Sequence, residues 1–223
     1  MKRILFSLVP LLVLAACAHS GETVTYNITT NVTDISKQQI LVQQSERVIE
    51  RRLESLGEKK PVTEIKKTGS GFQITAHASN KDMLSALTQQ LQQPFKLRVM
   101  AETQPGEKAD ITVEKFGGFS ETGISEKDLD WVIGGEEPGT KQGQVELAFT
   151  AKGRQKMSAL FKVMKGKYIG LFVRDQLVSR LHVDTDKLEA VVVIRQIPQP
   201  ELAQIFADDV NVGLHVAFTV VPK

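Results

Sequence analysis

The chain has 223 residues and one cysteine, Cys17. With no second thiol there is no intramolecular disulfide, even in an oxidising compartment. No charge of one sign dominates. Lys2 and Arg3 belong to a leader described below, and without them Lys+Arg falls from 28 to 26, equal to the 26 Asp+Glu. That balance excludes the basic footprint of a nucleic-acid binder. Aromatic residues are scarce at 6%, and Trp131 is the one Trp. Hydrophobic residues at 41% and charged residues at 24% are ordinary globular values, which exclude wholesale disorder and a multi-span membrane protein.

Chemistry-bearing motifs are missing as well. His19, His77, His182 and His215 are scattered without zinc-ligand spacing. Asp184-Thr185-Asp186 with Glu189 lacks the turn Gly and the distant bidentate Glu of a calcium loop. Gly69-Ser70-Gly71 has no third Gly, and Gly166-Lys167-Tyr168 lacks the rest of a phosphate loop. No Gly-x-Ser-x-Gly elbow occurs. The carboxylate pairs Glu136-Glu137 and Asp208-Asp209 are sequence neighbours whose side chains diverge on a helix or strand. The expectation is a protein that is not an enzyme and takes no metal or cofactor.

What is present begins with an address. Met1-Lys2-Arg3 is followed by a mainly apolar run, Ile4 to Leu14, and then Leu14-Ala15-Ala16-Cys17. The run is short of the ~20 residues that span a bilayer as a helix, and it has the form of a secretory leader. Its end matches a bacterial lipobox, so residues 1–16 are expected to be removed and Cys17 to be lipidated. Acyl chains contribute about 0.8 kcal/mol per buried methylene, enough with several chains to hold the protein at a membrane. Ala18 stands where retention at the inner membrane usually requires Asp. The expected location is therefore periplasmic, on the inner leaflet of the outer membrane in preference to the inner membrane.

Residues 17–22 read as a polar tether. Thr23 to Thr30 alternates apolar and polar residues as a strand does. A helix follows from the capping-box spacing of Ser36 to Gln39, with Leu41, Val48, Ile49, Leu53 and Leu56 on one face and Gly57 as its stop. Val62 to Lys66 and Phe72 to Ala76 form a hairpin, Lys81 to Leu91 a second helix, and Phe95 to Met100 a strand. The order β-α-β-β-α-β is that of a ferredoxin-like fold. Thr103 to Gln144, rich in Gly, Glu and Lys, reads as long loops or an irregular subdomain, with a strand at Ile111 to Phe116 and a short helix from Ser125 to Ile133. Strands at 145–150, 168–173, 177–183, 190–194 and 214–221, with helices at 151–165 and 200–210, complete an α+β chain.

Two stretches carry a resemblance. The first is Val48 to Gly57 followed by Pro61, with Arg52, Leu56, Gly57 and Pro61 in step with a family signature. The second runs from Thr122-Gly123-Ile124 and Asp128-Leu129 through Val145 to Thr150, Gly153, and Ser179, to Glu201, Ala203, Phe206, Ala207 and Gly213. Together they resemble the first periplasmic domain of SecD, an accessory subunit of the bacterial preprotein translocase. Departures are Ala76-His77-Ala78 for Leu-Pro-Gly, Arg174-Asp175 for Asp-Gly, and Arg180-Leu181 for Ala-Pro. SecD also continues into membrane helices, whereas this sequence stops at Lys223.

The resemblance implies a ferredoxin-like base and an α+β head. The base would be 23–101 and the head 102–223, with the C-terminal strand region returning to the base. It further implies non-enzymatic binding of unfolded secretory polypeptide, translocase or envelope proteins, in assistance of protein export. The alternative is a structural or adaptor lipoprotein of the cell envelope. Candidate contacts are apolar residues expected at exposed positions near the edge of the head: Phe116, Phe119, Trp131 and Ile133. Trp131 suits either a binding anchor or the head's own small core.

Overall fold

The computed structural model describes residues 21–69 and 71–222, so the leader, Cys17 and most of the tether lie outside the described residues. The elements are β1 (Glu22–Thr30), α1 (Ile35–Ser55), β2 (Val62–Thr68), β3 (Gly71–Ala78), α2 (Lys81–Gln92), β4 (Leu97–Glu102), β5 (Ile111–Val113), β6 (Gly117–Ser125), β7 (Leu129–Glu136), β8 (Gly143–Phe149), α3 (Ala151–Met164), β9 (Tyr168–Val173), β10 (Gln176–His182), β11 (Val192–Ile197), α4 (Pro200–His215) and β12 (Val216–Val220). The chain is α+β, with antiparallel pairing throughout the described strand ladders.

Local chemistry sets the helix ends. Asp34, two residues before the expected cap, accepts the Lys37 N–H at 3.0 Å, and Asn80 and Thr150 cap α2 and α3 in the same way. At the far end of α1, Gly57 takes φ +101°. Its N–H reaches Glu54 O and the Glu58 N–H reaches Leu53 O, a Schellman closure that a Cβ at Gly57 would oppose.

The first sheet has the strand order β12-β1-β3-β2. Val48, Ile49 and Leu53 of α1 and Leu84 and Leu87 of α2 pack on it, around Tyr26 and Ile74. This is the ferredoxin-like arrangement with one correction: the edge beside β1 is taken by β12 and not by the strand expected at 95–100. The reason lies in how each strand is covered. β4 buries Leu97 and Val99 in one apolar cluster and Met100 in another, so both of its faces need cover. β12 buries only Phe218, which suits the edge of a sheet with a single covered face.

β4 instead joins the second sheet, ordered β10-β9-β4-β6-β5, and a third sheet has the order β11-β8-β7. Between them Leu97, Val99, Ile124, Leu147, Phe149, Ile169 and Leu171 form the larger core with Met157 and Leu160 of α3 and Ala203 and Ala207 of α4. The stretch expected as loops is therefore largely strand. The sequence hides this because β6 buries only Phe119 and Ile124, and β7 has glycine at a position facing α4. A Cβ on Gly134 would lie 2.1 Å from Ala203 O, so α4 sits directly on the backbone of β7. The short helix expected over 125–133 shrinks to one 3-10 turn, Glu126–Asp128. The Asp128 carboxylate there accepts the Ser125 N–H at 3.0 Å, and the chain then extends.

Candidate functional site

The four expected contact residues do not assemble into one site. Phe119 is a correction: it is fully buried, packed edge-to-face on Phe172 at 5.2 Å and beside Met100. Gly170 makes room for the pair, since a Cβ there would fall 2.7 Å from one ring and 2.9 Å from the other. Phe116 is 43% exposed and lies 5.6 Å from the Arg180 guanidinium, which is itself 3.4 Å over the Tyr168 ring. Trp131 and Ile133 share one face of β7. Ile133 is 58% exposed. Trp131 is half-buried, stacked on His215 at 5.4 Å with the Lys37 ammonium 4.8 Å from the ring. It thus packs where α1, β7 and the end of α4 meet. Burial holds the His215 imidazole below its ordinary pKa against the Asp130 carbonyl and carboxylate that favour its charge, and the Lys37 ammonium disfavours that charge too.

α4 is the element that ties these parts together. Its Asp208 side chain is fully buried and receives the Arg47 guanidinium in two 2.8 Å bonds, Arg51 at 3.2 Å and Gln204 at 2.9 Å. Asn211, one turn on, donates to Val132 O and accepts the Val132 N–H, covering the open edge of β7 as a further strand would. Burial pushes the Asp208 carboxyl up, but the bonds from Arg47, Gln204 and Arg51 outweigh it and hold the group below its ordinary 3.8. A depressed carboxylate stabilises the fold above its unfolded pKa and loses that contribution as pH falls through the folded one. Asp208→Asn should cost about 2 kcal/mol, under the 3–5 expected for a wholly buried pair because Arg47 stays partly hydrated. In urea unfolding at several pH values, the gap between variant and wild type should hold near neutrality and close as pH falls below 3.8; a gap that does not change with pH would remove the ion-pair explanation.

A second feature is a slit between two sheets. β10 pairs only with β9 and β11 only with β8 among the described residues, yet the two strands line the same cavities along their length. At one end Val178 and Ser179 face Ile194 to Ile197 across a chamber of about 420 Å³, closed by Leu202 and Phe206 of α4. In the middle Ser179 and Leu181 approach Val192 and Ile194 around an apolar gap of only about 20 Å³. At the other end Leu181 and His182 face Val191 to Val193 across about 230 Å³, with Asp184, Lys187 and Glu189 at the mouth. β10 and β11 therefore run antiparallel without bonding. A bulge with Gln196 at φ +60° bends β11 beside the chamber. Val178 and Leu202 are each 46% exposed. The sequence signals for this slit were weak: Leu202 and Phe206 at helical i, i+4 spacing, and Ser179 in the resemblance.

Unpaired strand edges beside apolar side chains are features that an extended backbone can pair with. Among the described residues no group of three His, Cys, Asp or Glu side chains could hold a metal ion, and no helix is long and apolar enough to cross a membrane.

No protein-family model matches the chain, and no curated protein matches it. Solved structures do. SecDF from Thermus thermophilus, described as a translocon-associated membrane protein, is similar over 90% of this chain and 30% of its own, at 14% identity and a TM-score of 0.53. A SecDF structure in a super-membrane-facing form matches 91% of this chain and 30% of its own, at 14% identity and a TM-score of 0.48. A third, of a SecDF described as a membrane component that enhances protein export, matches 91% of this chain and 99% of its own, at 15% identity and a TM-score of 0.48. The chain thus spans about a third of the length of two of these proteins. Its fold is that of a SecD-like periplasmic domain.

Proposed function

We propose that the chain is a bacterial envelope lipoprotein, anchored through Cys17 on the periplasmic face of the outer membrane. Its SecD-like domain binds unfolded polypeptide without catalysis and so assists protein export. The observation that carries this reading is the slit between β10 and β11, where two unbonded strand edges flank an apolar chamber. The Thermus thermophilus SecDF is described as a translocon-associated membrane protein, which agrees with such a role. We place the base at 23–101 together with β12, with β4 reaching from it into the head's sheet, and the rest of 102–223 in the head; the pairing of β12 with β1 supports that division. Phe116, Trp131 and Ile133 are proposed as outer contacts that lengthen the binding surface. The exposed Ile133 face favours a second reading, an adaptor for one folded envelope protein.

The test is calorimetry with mature protein and a reduced, carboxymethylated secretory protein as the unfolded probe. Binding should be on the order of micromolar or weaker, about −8 kcal/mol or less in magnitude, because backbone pairing carries little side-chain information. Leu202→Asp should weaken it with no change in circular dichroism. Cys17→Ser should leave an unprocessed or soluble precursor. Tight binding to one folded envelope protein and none to the unfolded probe would leave the adaptor in place of the export assistant.

A further inference from the structure

Resting on that reading, we infer that the slit takes a single extended, uncharged segment as an inserted strand, hydrogen-bonded on one side to β10 and on the other to β11. Both edges are needed because neither strand has a second partner among the described residues. Each presents a row of N–H and C=O groups with no strand to receive them. The two rows face each other from Val178 opposite Ile194–Ile197 to His182 opposite Val191–Val193. A strand between antiparallel neighbours lies parallel to one and antiparallel to the other, and it turns the five-stranded and three-stranded sheets into one continuous sheet.

Strand spacing is about 4.8 Å, so β10 and β11 have to stand ~9.6 Å apart to admit the guest. The chamber beside α4 is already open, and the narrow middle, where Leu181 meets Val192 and Ile194, must part. Entry therefore starts at the chamber and proceeds toward the polar mouth. The bulge at Gln196 keeps β11 bent beside the chamber, which prevents β11 from closing on β10 directly.

The chemistry of the lining selects the guest. Val145, Val178, Ile194, Ile197, Leu202 and Phe206 leave the chamber without a free charge. The one cation at its rim, Arg195, is drawn to Glu137 at 3.3 Å. A charged side chain entering there would be desolvated without a partner. The guest is thus a strand-forming stretch whose alternate residues are apolar, the pattern of an unfolded chain's own future core strands.

In a strand, successive residues direct their N–H and C=O groups to opposite edges, so the edges can be tested one at a time. The probe is a ten-residue peptide alternating Val and Thr, whose Val face fixes its register in the chamber. It is offered to the full-length chain, purified as the cell makes it, by fluorescence anisotropy. Methylating the amide nitrogens of the Val residues removes bonds to one edge, and methylating those of the Thr residues removes bonds to the other. Each set should weaken binding at least tenfold, as should Leu202→Asp, while Ile40→Asp, on the exposed side of α1 and away from the slit, leaves it unchanged. If only one set matters, the peptide adds to a single edge and insertion is overturned. If neither matters, or the parent peptide fails to bind while the carboxymethylated protein does, this mode of binding is overturned and the polypeptide-binding reading stands. If neither peptide nor unfolded protein binds, that reading falls as well.

Discussion

Gly134→Val should prevent α4 from seating and leave the chain without a cooperative unfolding transition at 37 °C. A Cβ on Gly134 would stand 2.1 Å from the carbonyl oxygen of Ala203 and 2.5 Å from its carbon. Both partners are main chain, so no flexible side chain can yield, and either α4 lifts or β7 peels away. Lifting α4 breaks the exchange of bonds between Asn211 and Val132 and withdraws Ala203, Ala207 and Val210 from the larger core. A loss beyond about 4 kcal/mol follows, in the range where a single substitution exhausts a domain's margin. Gly135→Val is the matched control, because its Cβ would meet nothing within 4 Å and Val suits a strand, so its effect should stay within ~0.5 kcal/mol. Equal thermal behaviour of the two variants would show that the close approach of α4 to β7 does not hold the fold.

That contact also shows why part of the fold was illegible in the chain. Helices with caps and a one-sided apolar stripe, such as α1 with Asp34 and Ile49 or α2 with Asn80 and Leu87, announce themselves locally. β7 does not, because glycine at 134 looks like loop and acquires its meaning only from a helix some 70 positions later. The partner of β1 was equally hidden. Both β4 and β12 read as plausible strands, and what separates them, cover on two faces against one, is a tertiary property. The neighbours of Phe119, Gly117, Gly118, Ser120 and Glu121, are small or polar and give no sign of its burial, yet its own side of β6 faces Phe172 and Met100. Trp131 was placed between two alternatives and took neither fully, since it packs at a junction with α1. Of the slit only faint traces are legible, at Ser179, Leu202 and Phe206: whether a strand lacks a neighbour depends on sheet order, and no local pattern of Leu177 to Leu181 or Val192 to Ile197 encodes that.

Ile49→Asp should unfold more than the sheet on which Ile49 packs. Ile49 is fully buried, in the cluster with Val48, Leu53, Tyr26, Ile74 and Phe218. An unpaired carboxylate there loses its hydration, and several kcal/mol of stability go with it whether it stays charged or takes up a proton. The sheet's edge is β12, delivered from the end of α4, and α4 is bound to α1 by Asp208 and to β7 by Asn211. Loss of the first sheet therefore removes the anchors of α4 and exposes the larger core that Ala203 and Ala207 help to fill. One transition should be lost, not one of two. Trp131, stacked on His215 and beside Lys37, reports the junction directly, so its emission should shift to the red together with the loss of far-ultraviolet circular dichroism. Ile40→Asp provides the control on the same helix, since Ile40 is 44% exposed and its substitution should leave both signals within the scatter of wild type. A variant at Ile49 that keeps a separate, wild-type transition for the residues of the larger core would show two independent units, and α4 would then not couple them.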